Sequence, residues 1–306
     1  MRVIDIDNIV GNMRDQTAFV LRCEEVFHDK VSSACATILN SKKRTILLSG
    51  PSGSGKTTTA NRIRSYLENL GIPVIMMSMD NFFIPLSERP PEIEDWESPL
   101  CVNFQKITDC MHGLKAGKEV QIPIYDFKTG TSTETLTMQG DRNAIVIIEG
   151  IHALNPLMVD KIRDEMIGVY VTPRTRVVTR DDKIVTPERI RVARRMVRDF
   201  NTRGYSLRDT VIRAESVDAG EVRYIKPFKT NAAIHIDTFH DYELCIISRY
   251  LRELPDFYEQ LDDDFVQEYG LTELFKVVRE IPSLTTPYVP RDSIIREFVG
   301  GSVFYE

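Results

Sequence analysis

The sequence predicts an α/β fold built as a doubly wound parallel sheet, and three observations predict it. An apolar run at 45–49 leads into Gly50-Pro51-Ser52-Gly53-Ser54-Gly55-Lys56-Thr57 and then into a helix-like stretch. Further apolar runs at 74–79 and 144–148 lead directly into acidic residues, Asp80 and Glu149. Strand-like and helix-like segments alternate through a third run at 167–172, and such alternation specifies a parallel sheet with helices on both faces.

The elements follow in chain order. From 13 to 39, Phe19, Cys23, Val26, Phe27, Val31, Ala34 and Ile38 recur at a helical period, which reads as a docking helix ahead of the basic Lys42-Lys43-Arg44 linker. After the first core strand a helix runs to about Leu70 and is closed by Gly71, with Ile63, Leu67 and Leu70 suited to face a sheet. The 73–79 segment is apolar on both alternating faces, as a parallel strand covered on both sides must be. Proline and acid make 85–99 a loop, and 181–185 reads as an exposed hairpin or loop. Beyond Tyr242 the chain turns helical, with Asp262-Asp263-Asp264 a helix start or solvated turn and 282–290 a loop.

Composition narrows the class. With 306 residues and 42% apolar side chains, the chain can bury one large α/β domain with appendages or two small ones. A net charge of −6 argues against a general nucleic-acid or anionic-membrane binder. Cys23, Cys35, Cys101, Cys110 and Cys245 show no paired metal spacing and fit reduced thiols in a cytosol. No run approaches the ~20 apolar residues a membrane span needs, so a soluble, cytoplasmic protein is expected.

The 50–57 segment carries the chemistry. Its glycines let backbone N–H groups turn toward phosphate oxygens, and the following helix adds the positive end of its dipole. Lys56 would reach the β- and γ-phosphates and Thr57 would ligate Mg²⁺, so Gly50, Ser52, Gly53, Ser54, Gly55, Lys56, Thr57 and Thr58 form the expected nucleotide site. The alternative is a chance match in a Gly/Ser turn, which the strand before and the helix after disfavour. Ligands of such sheets bind beyond the carboxyl ends of the strands, so the loop, Asp80 and Glu149 should converge. Asp80 is then either a base for an attacking hydroxyl or a structural cap. Glu149 is either a Mg²⁺ ligand or a cap of its own turn.

A phosphate loop alone leaves kinase, GTPase, transport ATPase and motor readings open. No Asn-Lys-x-Asp guanine signature and no Leu-Ser-Gly-Gly transporter signature is present. Several further elements resemble those of the uridine kinase and phosphoribulokinase family, in the family's order from about Arg44 to Ile236. They are Gly-Pro-Ser-Gly-Ser-Gly-Lys-Thr-Thr, Met79-Asp80-Asn81-Phe82-Phe83, Pro123-Ile124-Tyr125-Asp126-Phe127 and Ile148-Glu149-Gly150-Ile151. The arginine-rich stretch from Arg191 to Asp199, closed by Thr202-Arg203-Gly204, is similar to the family's lid helix. The stretch 224–236 is similar to its adenine-side loop and last strand.

The resemblance implies an ATP-dependent kinase that uses Mg²⁺ and has Asp80 as base. Eight arginines fall between Arg189 and Arg213, and by resemblance Arg191 and Arg194 meet phosphate oxygens, with Arg203 contributing. Arg195 and Arg198 are equally suited to pair with Asp199, Glu188 or Asp209. RNA binding by this helix is the weaker idea, because the chain is acidic and lacks interleaved aromatics. On the acceptor side, Asp95-Trp96-Glu97-Ser98-Pro99 sets Glu97 where the family has a ribose-gripping aspartate. Tyr125 matches the family's pocket tyrosine. Phe83 stands where the family has tyrosine, and Lys128-Thr129-Gly130-Thr131 lacks the family's base-reading histidine, which separates this pocket from a uridine-specific one. His152, just past Glu149-Gly150, either touches the acceptor at the pocket mouth or, the favoured reading, is a surface or packing histidine.

The expected organisation is a helical segment at 1–43, a kinase core at 44–245 with a lid at about 187–215, and a helical extension at 246–306 able to serve a homo-oligomer. The expected function is transfer of the γ-phosphoryl of ATP to a hydroxyl of a nucleoside, uridine- or cytidine-like, or of a related sugar-bearing small molecule. The alternatives are a nucleotide-binding regulatory or interaction module with weak ATPase activity, and a phosphoribulokinase-type sugar-phosphate kinase.

Overall fold

A computed structural model of the chain describes residues 2–93, 95 and 97–304. It opens with strand Val3–Asp5 (β1), helix Ile6–Asn12 (α1) and the long helix Gln16–Ser41 (α2). Strands Thr45–Ser49 (β2) and Val74–Ser78 (β3) flank helix Lys56–Asn69 (α3). Helix Phe104–Lys115 (α4) leads to a hairpin of Glu119–Asp126 (β4) and Thr131–Gln139 (β5), then to strand Ile145–Glu149 (β6), helix Pro156–Ile162 (α5) and strand Met166–Thr172 (β7). A short hairpin, Arg176–Val178 (β8) and Ile184–Val185 (β9), precedes helices Pro187–Arg203 (α6) and Leu207–Tyr224 (α7) and strand Ile234–Asp237 (β10). Helices Glu243–Glu253 (α8), Phe257–Gln260 (α9), Asp263–Glu268 (α10), Thr272–Glu280 (α11) and Arg296–Val299 (α12) follow.

The doubly wound parallel sheet is present. Its five strands run in the order β10-β7-β2-β6-β3, and each neighbouring pair is parallel. Alternation explains why both faces are covered. Ile46 and Leu48 of β2, with Ile145 and Ile147 of β6, join the apolar cluster under α2, α3, α6 and α8. Leu47, Val146 and Ile148 point the other way, into the cluster with Ile107, Met111 and Met158 of α4 and α5. Strands that bury both faces read as continuous apolar runs, which is the pattern at 45–48 and 145–148.

Several local features anchor this frame. Asp15 caps α2 by accepting from Ala18 N–H at 3.0 Å, and Phe27, Val31 and Ile38 of α2 are buried in the same cluster as β2. The 181–185 region is the turn of the β8–β9 hairpin, whose Val177 and Val185 are buried and whose β8 edge takes up β1 in parallel. Asp262 accepts from Phe265 N–H at 3.0 Å and starts α10. The five cysteines are free thiols, all but Cys23 of them buried. Among the described residues no helix is long and apolar enough to cross a membrane. The β4–β5 hairpin has no counterpart in the sequence reading, because its second strand, TSTETLTMQ, is mostly polar, with Leu136 and Met138 its only apolar residues.

The sheet's carboxyl edge creates the site. Gly50 follows β2 so closely under β7 that a Cβ there would lie 2.0 Å from the Val171 carbonyl oxygen, so only glycine fits. Ser78 at the end of β3 pairs in register with Glu149 at the end of β6, and Glu149 pairs with Leu48 of β2. The phosphate loop, Asp80 and Glu149 therefore leave adjacent strands at one edge.

Candidate active site

The phosphate loop is held from behind. Gly53 and Gly55 adopt φ of 74° and 85°, a left-handed region that other residues enter only under strain. Successive carbonyls are each tied to a donor outside the loop. Arg191 Nη1 donates to Ser52 O at 3.2 Å, Arg194 Nη1 to Gly53 O at 3.1 Å and Thr238 Oγ1 to Ser54 O at 2.7 Å. With its carbonyls fixed outward, the loop leaves its remaining N–H groups for the cavity, beside the first turn of α3. Lys56 Nζ reaches across the loop to Pro51 O at 3.1 Å. Burial holds its ammonium below the usual value, while Glu149, Asp80 and Glu297 pull it back up.

Two carboxylates face this loop. Glu149 is buried and accepts from Ser78 Oγ at 2.8 Å. Burial first, then the neighbouring Asp80, pushes its carboxyl up to about 7, against Lys56 and the Ser78 hydrogen bond. Asp80 sits in the turn after β3 and is reached by water through the open cleft. The surrounding protein still raises its carboxyl above the ordinary range, with Lys56, Arg203 and Arg198 opposing. A ligand that displaced water from the cleft would raise it further.

The lid arginines divide into two sets, and the division corrects an expectation. Arg191 and Arg194 do not project toward phosphate oxygens. Arg194 is fully buried, with Nε and Nη2 on Glu243 at 3.0 and 2.7 Å and Nη2 also on Thr238 O at 3.0 Å. Arg191 is ion-paired to Glu221 of α7. Each guanidinium is occupied by a buried carboxylate and a loop carbonyl, so both act as braces. Arg198 and Arg203, further along α6, both pull the Asp80 carboxyl down. Both also share Asp199, at 2.8 and 3.5 Å. Arg195 is buried, has no ion pair among the described residues, and has an unpartnered Nε. Burial and the nearby Arg198 push it down to about 10.

The acceptor wall comes from separate segments. Glu97 is half-buried in the 95–99 loop and donates its N–H to Asp95 Oδ1 at 2.9 Å. Its Cβ packs on Gly220 of α7, where an added Cβ would lie 2.6 Å away. Burial raises its carboxyl, and Arg195 opposes. Trp96, next to it, lies outside the described residues. Tyr125 is buried beside Phe83, ring centroids 5.5 Å apart, and its hydroxyl has no partner among the described residues. Asp126 turns away to bond Lys128 N–H and Thr129 Oγ1 at 2.8 and 3.0 Å, a turn-forming role. His152 is a packing residue and not a surface one. It is 1% exposed, its ring nitrogens complete no hydrogen bond among the described residues, and burial holds it down to about 4. The nearby Glu97 backbone favours its charged form only weakly.

Two participants escaped the sequence reading. Arg195 was legible as an arginine of a lid helix but not as a buried one without an ion pair among the described residues. Glu297, whose Oε2 accepts from Thr58 N–H at 3.3 Å and Thr58 Oγ1 at 2.7 Å, carried no signal, since 239 positions separate it from its partner.

Comparison with known proteins places the chain in a family. Residues 45–244 match the model of the phosphoribulokinase / uridine kinase family. The chain is 30% identical to uridine kinase of Bacillus pumilus over 204 residues, covering 65% of this chain and 88% of that protein. It is 29% identical to uridine kinase of Saccharomyces cerevisiae over 201 residues, 63% of this chain and 36% of that one. Inorganic pyrophosphatase TTM1 of Arabidopsis thaliana is 34% identical over 128 residues, 41% of this chain. The chain spans only 19% of TTM1 and 36% of the yeast enzyme.

Proposed function

The chain belongs to the phosphoribulokinase/uridine kinase family, and from that premise we propose that it is an ATP-dependent kinase transferring the γ-phosphoryl group to a hydroxyl of a nucleoside or related sugar-bearing small molecule. The observation that carries this reading is Asp80, which stands at the carboxyl edge beside Glu149 and in the field of Lys56, Arg198 and Arg203.

The residues divide the work as follows. Asp80 accepts the proton of the acceptor hydroxyl and aims its oxygen at the γ-phosphorus. A bond from acceptor oxygen to γ-phosphorus forms, the bond to the bridging oxygen breaks, and ADP carries away the electron pair. Acceptor entry displaces water from Asp80, which raises its basicity as the proton moves. Lys56, with Arg198 and Arg203 from the outer end of α6, offsets the charge on the transferring group. The phosphate loop, held by Arg191, Arg194 and Thr238, needs no rearrangement to present its N–H groups.

Thr57 and Glu149 would hold Mg²⁺, which supplies charge neutralisation on the phosphates when bound. The fit is supported by Glu149 itself, a buried carboxyl raised to about 7 that has no basic side chain bonded to it among the described residues. Those residues contain no cluster of three or more metal-binding side chains. That suits Mg²⁺, which takes one or two protein oxygens plus phosphates.

The kinase unit is assigned to 44–245, with a lid within 187–215. Its free, mostly buried thiols suit a reducing cytosol. A second reading, transfer to a sugar phosphate, is supported by Arg195, an unpaired buried cation felt by Glu97 and suited to an anionic acceptor. One experiment tests both. Labelled γ-phosphate from ATP is offered to a panel of nucleosides, sugars and sugar phosphates, alongside Asp80→Asn and Lys56→Ala. Product on a nucleoside or sugar, lost in Asp80→Asn, supports the first reading, and product on sugar phosphates alone supports the second. ATP binding with no labelled acceptor and no effect of Asp80→Asn removes the kinase reading.

A further inference from the structure

The family match ends at residue 244, yet one carboxylate in the nucleotide site comes from well beyond it. Glu297 Oε2 accepts from Thr58 N–H at 3.3 Å and from Thr58 Oγ1 at 2.7 Å. Thr58 is in the first turn of α3, where N–H groups have no helical partner and favour an anion. In the phosphate-loop reading this N–H and hydroxyl belong to a nucleotide phosphate. Glu297 therefore stands where a phosphate oxygen would.

The backbone around Glu297 is anchored independently of that contact. Asp292 pairs with Arg62 at 2.5 Å, and Ser293 Oγ bonds the Tyr242 hydroxyl at 2.9 Å. Arg296 ties the segment to itself through Thr286 O and Val289 O at 2.9 and 2.6 Å. Phe298 lies under the Arg194 guanidinium at 5.0 Å, and Ile294 presses on Gly55, where an added Cβ would be 2.9 Å from Ile294 Cγ2. None of these contacts is made by the half-buried Glu297 carboxylate. Lys56 also feels three carboxylates, Glu149, Asp80 and Glu297, so an arriving phosphate meets one negative charge more than transfer chemistry requires.

We propose that Glu297 is a residue of the nucleotide site: its carboxylate holds the anion position on the first turn of α3, and a phosphate of the incoming nucleotide takes that position by turning the side chain aside. This rests on the reading of 50–58 as an ATP site. Glu297 thereby sets nucleotide affinity and favours ligands with enough phosphate charge to displace it.

The test is calorimetric titration of ATP·Mg²⁺ into the wild-type chain, Glu297→Gln and Lys56→Ala, with thermal unfolding of each as a check on folding. Glu297→Gln keeps size and one acceptor oxygen but removes the charge, and it should bind ATP tenfold or more tightly than wild type. Wild-type binding with no gain, or a loss, in Glu297→Gln overturns the proposal while the phosphate-loop reading stands, provided Lys56→Ala weakens binding. Failure of both wild type and Glu297→Gln to bind ATP overturns the loop reading and the proposal together. If Glu297→Gln does not fold, Glu297→Asp replaces it. That shorter side chain cannot span to both Thr58 donors, so tighter ATP binding is again expected, and unchanged or weaker binding overturns the proposal.

Discussion

On the phosphate-loop wall of the cleft, Ser52 O, Gly53 O and Ser54 O are each bonded to a donor from outside the loop, whereas on the proposed acceptor side the Tyr125 hydroxyl ends without a partner among the described residues, as do the packed His152 ring and Arg195 Nε of α6. A buried polar group left unpaired costs about 1–3 kcal/mol. The first wall is finished by the protein, as suits a phosphate chain that every ligand of the site shares. In the proposed function the second wall is the acceptor's, and a site with unpaired polar groups rejects analogues lacking the matching ones.

Four measurements would break or sharpen this contrast. The largest effect is expected from Asp80→Asn, which sits between the walls: phosphoryl transfer should fall by ~10²–10⁴ with ATP affinity nearly unchanged. A parallel loss of ATP binding in a titration would move Asp80 onto the nucleotide side. Next is Arg194→Ala. Removing one partner of a buried ion pair costs about 3–5 kcal/mol, so urea denaturation should show a loss of that size. Arg203→Ala, half-exposed at the outer end of α6, should leave stability within about 0.5 kcal/mol and reduce turnover instead. Equal stability of both variants would undo the division into braces and cleft arginines.

A third, intermediate effect concerns pH. His152 is held near 4 by burial, below the ordinary imidazole value, so the folded state binds fewer protons than the unfolded chain between those values. Its contribution to stability should be whole above about pH 6.5 and decline as pH falls toward 4. Thermal unfolding across that window should show a shallower decline in His152→Asn. His235, also lowered, remains in both proteins and cancels in the comparison. The smallest effect is expected from Tyr125→Phe, which removes an unpartnered hydroxyl: folding should be unchanged or gain up to about 1 kcal/mol, while KM for the acceptor rises. A clear loss of stability would mean that the hydroxyl is already satisfied within the protein.

Legibility in the sequence follows the same divide. The nucleotide wall is local, with a strand, a glycine loop and a helix start contiguous from Thr45 onward, and Asp80 and Glu149 announce themselves by ending apolar runs. Arg191 and Arg194 were visible as helically spaced cations, but helical spacing does not say which face meets a carboxylate. The partner of Arg194, Glu243, lies 49 positions away, beyond the last core strand. The β4–β5 hairpin was missed because its second strand is mostly polar and mostly exposed, with only Leu136 and Met138 apolar. Glu297 was missed because nothing local distinguishes it from any other glutamate in a short helix.

The middle of α6 has one more consequence. Arg194 ties that helix to the phosphate loop, to Thr238 after β10 and to Glu243 of α8, all at once. In the proposed kinase, a swing of the whole 187–215 segment as a rigid flap would tear this junction open. Arg194 lies midway along α6, so the helix is pinned to the loop at its centre.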